Sequence, residues 1–165
     1  MRYSITLFLG LLFACSLSFN SAQAQDVNPE LLPDTVKLMF KGSDNTSTLA
    51  RNPGSTLVIF MEGDGKHEVD VDAKRVEVYG RGGAELELSG RADFLIIEAG
   101  GSGKIDTEDL ETPQVILDIT GTTQAKVNAT AYARVRARGA CDVKINGEPP
   151  VTEVDADGGS TVKAD

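Results

Sequence analysis

The chain has no tryptophan, one histidine (His67) and two cysteines (Cys15 and Cys141) in 165 residues, and aromatics make up only 5% of it. These shortages exclude a good deal. A metal centre built on histidine needs more partners than one. A Ser–His–acid triad has a single histidine to draw on, and nothing singles out a serine to match it. A sugar-processing cleft with aromatic platforms has no tryptophan to offer. Cys15 lies in a leader segment, which leaves Cys141 without an intramolecular partner. Stability must then come from packing and backbone pairing. The formal net charge is −9. The positive face that nucleic acid or an anionic membrane requires is therefore missing, and no nucleic-acid partner is expected. Helical periodicity is absent after the leader.

What is present begins with that leader. Met1 and Arg2 precede an apolar run from Tyr3 to Phe19, followed by Ser21-Ala22-Gln23-Ala24-Gln25. A basic start, a short apolar stretch and an Ala-x-Ala exit describe a secretory signal peptide over residues 1–24, cut between Ala24 and Gln25. The run is broken by Gly10, Cys15 and Ser16 and falls short of the roughly 20 residues of a membrane span. Leu12-Phe13-Ala14-Cys15 offers a second exit, a lipoprotein box that would lipidate Cys15, although Phe13 is bulky for that pattern. Either exit implies an exported protein: periplasmic, outer-membrane-associated or extracellular.

Residues 25–56 read as an N-terminal cap. Gln25–Asp34 is an aperiodic leader with two prolines. Thr35–Phe40 alternates as a short strand, and Lys41–Ser55, rich in Gly, Ser, Asn, Thr and Pro, reads as a loop. From Leu57 to Asp165 the pattern changes. Short β-branched runs recur, each broken at a glycine: Gly63, Gly82, Gly101, Gly121, Gly139 and Gly158, at steps of 19, 19, 20, 18 and 19. A fixed step of this size marks a repeat architecture. Residues alternate on both sides of each glycine. Val115, Leu117 and Ile119 share one face, and Ile116, Asp118 and Thr120 the other. Val135 and Ala137 precede Gly139, and Cys141, Val143 and Ile145 follow it. Val154 and Ala156 precede Gly158, and Ser160, Val162 and Ala164 follow it.

Period two sends one side of each strand inward and the other into water. A single unit has too small an apolar face to fold, whereas stacked units bury a continuous core. Glycine at each corner permits positive φ or the close approach of adjacent coils. The expectation is an all-β solenoid, a parallel β-helix of about six coils. An up-and-down barrel or a sandwich also needs alternating strands, but neither accounts for the regular step.

The stretch from Val76 onward also resembles a known family. The segments that carry the likeness are VEVYGRGGAELELSGRAD, GGSGKIDTEDLETPQV and LDITGTTQAKVNATAYARVRARGACDVKINGEPPV. Their order and spacing are similar to those of the head GIN domain family of auto-transporter adhesins (DUF2807). The resemblance implies an exported, right-handed β-helix-like fold and no established enzyme activity. Residues 35–61 depart from the family pattern, so reduced first coils are expected.

Candidate chemistry is sparse. His67, in Asp64-Gly65-Lys66-His67-Glu68, is expected to be an exposed turn histidine. Cys141 falls on the inward parity, as a small buried hydrophobe would. Gly100-Gly101-Ser102-Gly103-Lys104 fails the phosphate-loop spacing at Glu98 and at Ile105. It also fails the calcium-roll repeat, because Asp106 comes one residue late. The remaining ligand candidates are outward carboxylates. If Asp70 and Asp72 lay over Glu85 and Glu87, the ladder would offer oxygen ligands to Ca²⁺. The competing reading is a solvated acidic face that keeps a repeat protein soluble. No cofactor is expected. Three functions stay open: a non-catalytic, adhesin-like module binding a protein or glycan; a carbohydrate-active β-helix enzyme; and a structural protein that forms homo-oligomers end to end through its coil ends.

Overall fold

The computed structural model describes residues 15–18, 34–43 and 45–164. The proposed cleavage at Ala24/Gln25 and residues 25–33 of the leader lie outside these. Thirteen strands and no helix occur among the described residues. In chain order they are β1 (Cys15–Ser18), β2 (Thr35–Gly42), β3 (Thr46–Gly63), β4 (Lys66–Gly82), β5 (Glu85–Gly101), β6 (Lys104–Thr107), β7 (Leu110–Glu111), β8 (Gln114–Gly121), β9 (Gln124–Asn128), β10 (Tyr132–Gly139), β11 (Asp142–Asn146), β12 (Val151–Gly158) and β13 (Thr161–Ala164).

Every pairing is parallel, and strands pair with those one coil earlier or later, on both sides except at β1, β7, β12 and β13. The chain is therefore a β-solenoid, with two sheet faces enclosing a narrow interior. The first face stacks residues 35–42, 56–63, 75–82, 94–101, 114–121, 132–139 and 151–158. The second stacks residues 46–52, 66–73, 85–92, 104–111, 124–128, 142–146 and 161–164. β3, β4 and β5 are long because each runs without interruption across both faces.

The corner glycines stack in register as the sequence step requires: Gly63 on Gly82, Gly82 on Gly101, Gly101 on Gly121, Gly121 on Gly139, and Gly139 on Gly158. Gly42 extends this column below Gly63, so there are about seven coils rather than six. The additional coil comes from residues 35–52. Lys41–Ser55 is not the expected loop: β3 starts at Thr46, and its first half pairs with β4 from Thr46↔His67 to Asn52↔Ala73. A register shift between Asn52 and Thr56 absorbs Pro53 and Gly54, residues that ordinarily argue against a strand.

The core alternates as the period-two pattern demands. Leu57, Ile59, Val76, Val78, Leu95, Ile97, Val115, Leu117 and Ile119 are buried on the first face. Leu86, Leu88, Ile105, Leu110, Val127, Val143 and Ile145 are buried on the second. Cys141 is buried among them with a free thiol, as its parity implied. His67 departs from expectation. It is 2% exposed, stacks on Phe40 at 4.4 Å between ring centroids, and its Nδ1 hydrogen-bonds the Thr46 hydroxyl at 2.9 Å. Its parity with Val69 and Val71 outweighs the glycine turn beside it. Burial pulls its pKa below the usual histidine range.

The last coil differs from the rest. Val154, Ala156 and Ala164 keep inward parity, yet every residue of β12 is exposed, and Val151 and Val154 are 49% and 50% exposed. No further coil covers them among the described residues.

Candidate binding face

Stacking at one coil per step turns each outward position into a row running along the solenoid. Neighbouring members lie about 4.8 Å apart, the spacing of paired strands. The identity of each row follows from the register and decides what a face can do.

On the second face the rows are charged. One of them reads Ser47, Glu68, Glu87, Asp106, Lys126, Lys144, Lys163. The row beside it includes Lys66, Glu85 and Lys104. Lysines bridge the acids. Lys66 Nζ lies 3.2 Å from Glu68 and 3.0 Å from Glu87, Lys104 Nζ lies 2.9 Å from Glu85, and Lys126 Nζ lies 2.8 Å from Glu108. These bonds raise the pKa of all three lysines; hydrogen bonds to Glu87, Glu85 and Glu108 respectively are the main cause. They lower the pKa of Glu85, chiefly through Lys104, and of Glu108, chiefly through Lys126 and Asn146. The proposed carboxylate ladder is thereby corrected. Asp70 stacks on Ser89 and Asp72 on Arg91, not on Glu85 and Glu87, because a step of one coil carries residue 70 to 89. Arg51 grips Asp70 through its Nη2 at 3.0 Å. Among the described residues, no group of three or more His, Cys, Asp or Glu side chains is placed to hold a metal ion.

The first face is different. Its middle row reads Lys37, Val58, Glu77, Ile96, Ile116, Arg134, Glu153, and the next row Met39, Phe60, Tyr79, Glu98, Asp118, Arg136, Asp155. Aromatic and aliphatic side chains thus stand on the outward parity over consecutive coils. Phe60 is 38% exposed and stacks on Tyr79 with ring centroids 5.3 Å apart and an interplanar angle of 19°. Arg75 lies over the Phe94 ring at 5.1 Å, a cation–π contact. Its Nε also donates to Glu77 at 2.6 Å, and the Tyr79 hydroxyl donates to the same carboxylate at 3.2 Å. Burial and then the charge of Glu77 raise the Tyr79 pKa, so the phenol stays protonated as a donor. Glu77, the charge within this patch, is in this way held by two neighbours. Farther along the face, Arg136 sits between Asp118 and Asp155, 3.4 Å from each.

Beside Phe60 and Tyr79 the sheet carries a groove of about 660 Å³, with Arg81, Glu98 and Asp118 among its lining. It lies where Gly100, on the outward parity, supplies no side chain. None of Phe60, Tyr79, Phe94, Ile96 or Ile116 is a candidate on sequence grounds. The available signal was apolar character on the outward parity, one coil step apart, at Ile96 and Ile116 and at Phe60 and Tyr79. His67, packed in the core, and Cys141, whose Sγ lies 3.6 Å from the Gly121 carbonyl and 3.5 Å from that of Arg138, belong to the interior and not to this face.

The family described as "Putative auto-transporter adhesin, head GIN domain" matches residues 31–149. The match reaches back through the first coil, so residues 35–61 do belong to the family pattern, contrary to the sequence-based expectation. No curated protein and no solved structure matches the chain.

Proposed function

Since the chain belongs to the head GIN domain family of auto-transporter adhesins, we propose that it is an exported, non-catalytic binding module that recognises a protein surface through its first face. The observation that carries this reading is the outward patch of Phe60, Tyr79, Phe94, Ile96 and Ile116. Each lies on the parity that faces water, so packing of the interior does not require it. Aromatics and arginine at the centre of a patch, with charges at its rim, match the composition of protein–protein interfaces. The signal-peptide-like segment and the adhesin description support export to the cell envelope or surface.

An enzymatic reading has less support. His67 is stacked in the core, the acids of the second face are bridged by lysines, and Cys141 is buried. The test is to present the protein to an array of extracellular proteins and glycans and to a panel of polysaccharides, alongside Phe60→Asp and Ile116→Asp variants. Binding to a protein that weakens at least about tenfold in either variant is expected, the loss typical of a central anchor residue. Binding confined to glycans would redirect the ligand class. Unchanged binding in both variants would refute the face, and release of sugar products would refute the non-catalytic reading.

A further inference from the structure

The two ends of the solenoid are complementary. β12 pairs with β10 alone and β13 with β11 alone, so each leaves one edge unpaired among the described residues. Above that edge the interior stands open at Val154. At the other end, the inward residues of β2 are Val36, Leu38 and Phe40. The strand seated below β2 is β1, joined in parallel from Cys15↔Val36 to Ser18↔Met39. β1 lies within residues 1–24, the segment that reads as a signal peptide. Its removal would bare the β2 edge, and its presence shows that this edge accepts an added parallel strand.

We propose that the processed chain stacks head to tail, with β12 of one copy taking the place of β1 beneath β2 of a second copy. β2 and β12 are both eight residues long and both end in the corner glycine, Gly42 and Gly158. Continuing the internal register by one step sets Gly42 on Gly158, Leu38 on Val154 and Phe40 on Ala156, all inward. Outward it sets Lys37 on Glu153 and Lys41 on Asp157. Both outward pairs are opposite in charge. The first of these rows already forms an ion pair between coils inside the chain, Arg134–Glu153 at 3.5 Å. Lys37 would extend the first of these rows into the next molecule. Backbone pairing at an open edge supplies adhesion, and the side-chain rows set the register. Because the two surfaces differ, the contact is heterologous and does not close on itself, so it propagates into a filament. A chain of such heads would repeat the first-face patch many times over and raise avidity for a multivalent surface.

This inference rests on the export reading, and the experiment separates the two. The full-length gene is expressed in a host that exports it, the purified product's N-terminus is read by mass spectrometry, and its mass is followed by sedimentation velocity over a wide concentration range. An N-terminus at Gln25 with mass rising on concentration is expected. Lys37→Glu/Lys41→Glu and Glu153→Lys/Asp157→Lys should each weaken self-association by about tenfold or more, since two attractive pairs become repulsive. An equimolar mixture of the two variants should restore it, because each swapped end then meets its opposite. As a check that does not depend on charge, Lys37→Cys and Glu153→Cys copies, mixed and oxidised, should form a disulfide-linked dimer, since adjacent parallel strands lie within disulfide reach. A processed protein that stays monomeric at millimolar concentration would overturn the stack while leaving export intact. Retention of residues 1–24 would overturn export and the stack together. Self-association that ignores both charge swaps and yields no cross-link would overturn this register.

Discussion

The corner glycines hold the coils at their closest approach, and Gly101→Ala tests whether that approach is required. Gly101 has φ of +128°, in the region that side chains rarely enter, and an added Cβ would lie 2.2 Å from the carbonyl oxygen of Gly82 in the coil below. Ordinary contact begins near 3.4 Å, so the two coils would have to part by more than about 1 Å, well beyond what a close-packed interior absorbs without strain. That carbonyl accepts a hydrogen bond from Ser102 N at 3.0 Å, which the displacement would stretch or break. Backbone strain of about 1–3 kcal/mol and a hydrogen bond worth about 1 kcal/mol together give a loss of about 2–4 kcal/mol before any repacking. Two alanine substitutions separate these contributions. Gly42 has φ of +88° with nothing within 4 Å of an added Cβ, so Gly42→Ala should carry the strain alone. Gly100 is not in the positive-φ region, and an added Cβ meets only the Thr120 hydroxyl at 3.0 Å. Gly100→Ala should therefore cost less than about 1 kcal/mol, as surface changes usually do. Chemical denaturation followed by circular dichroism is suitable, since the chain has no tryptophan to report by fluorescence. The expected order of loss is Gly101, then Gly42, then Gly100. Equal losses at Gly101 and Gly42 would show that coil separation costs nothing and would refute the reasoning.

Two further outcomes follow from the core. His67 has its pKa lowered by burial, so the unfolded chain takes up a proton at a higher pH than the folded one. Stability is then fully present above the unfolded value of about 6.5 and declines as pH falls through the window below it, by about 1.4 kcal/mol for each unit of depression. Denaturation midpoints at pH 7.5 and pH 5.5 should differ in the native protein and converge in His67→Phe; an equal pH slope in both would place the origin elsewhere. Leu117→Ala and Ile145→Ala, at positions 1% and 0% exposed, should each cost about 2–5 kcal/mol through the cavity left behind. A loss below about 0.5 kcal/mol in urea titration would mean that these side chains are not core.

Much of the architecture was legible because a solenoid writes its period into the chain. Glycines at steps near 19 and period-two alternation identify the coils, the inward residues and the corner column without reference to any distant contact. The first coil was harder to see. Thr46–Asn52 is polar and is followed by Pro53-Gly54, and it becomes strand because β4 offers it a paired edge, with a register shift that absorbs the two breakers. The expected carboxylate stack was misplaced for a different reason. Placing Asp70 and Asp72 over Glu85 and Glu87 uses a step four residues short, whereas contacts follow the full coil step, which puts Lys66 and Glu68 under Glu85 and Glu87 and brings Ser89 and Arg91 over Asp70 and Asp72.

From its sequence alone, then, this protein is an acidic stack of β-coils with an aliphatic interior, since those properties depend on spacing and parity that every coil repeats. Tertiary structure decided the rest. It set which outward residues share a row, and so made one face a charge ladder and the other a patch centred on Phe60 and Tyr79. It also left Val154 exposed despite its inward parity. Parity assigns a direction to each side chain, but burial requires a neighbouring coil to cover it, and at the last coil none of the described residues does so.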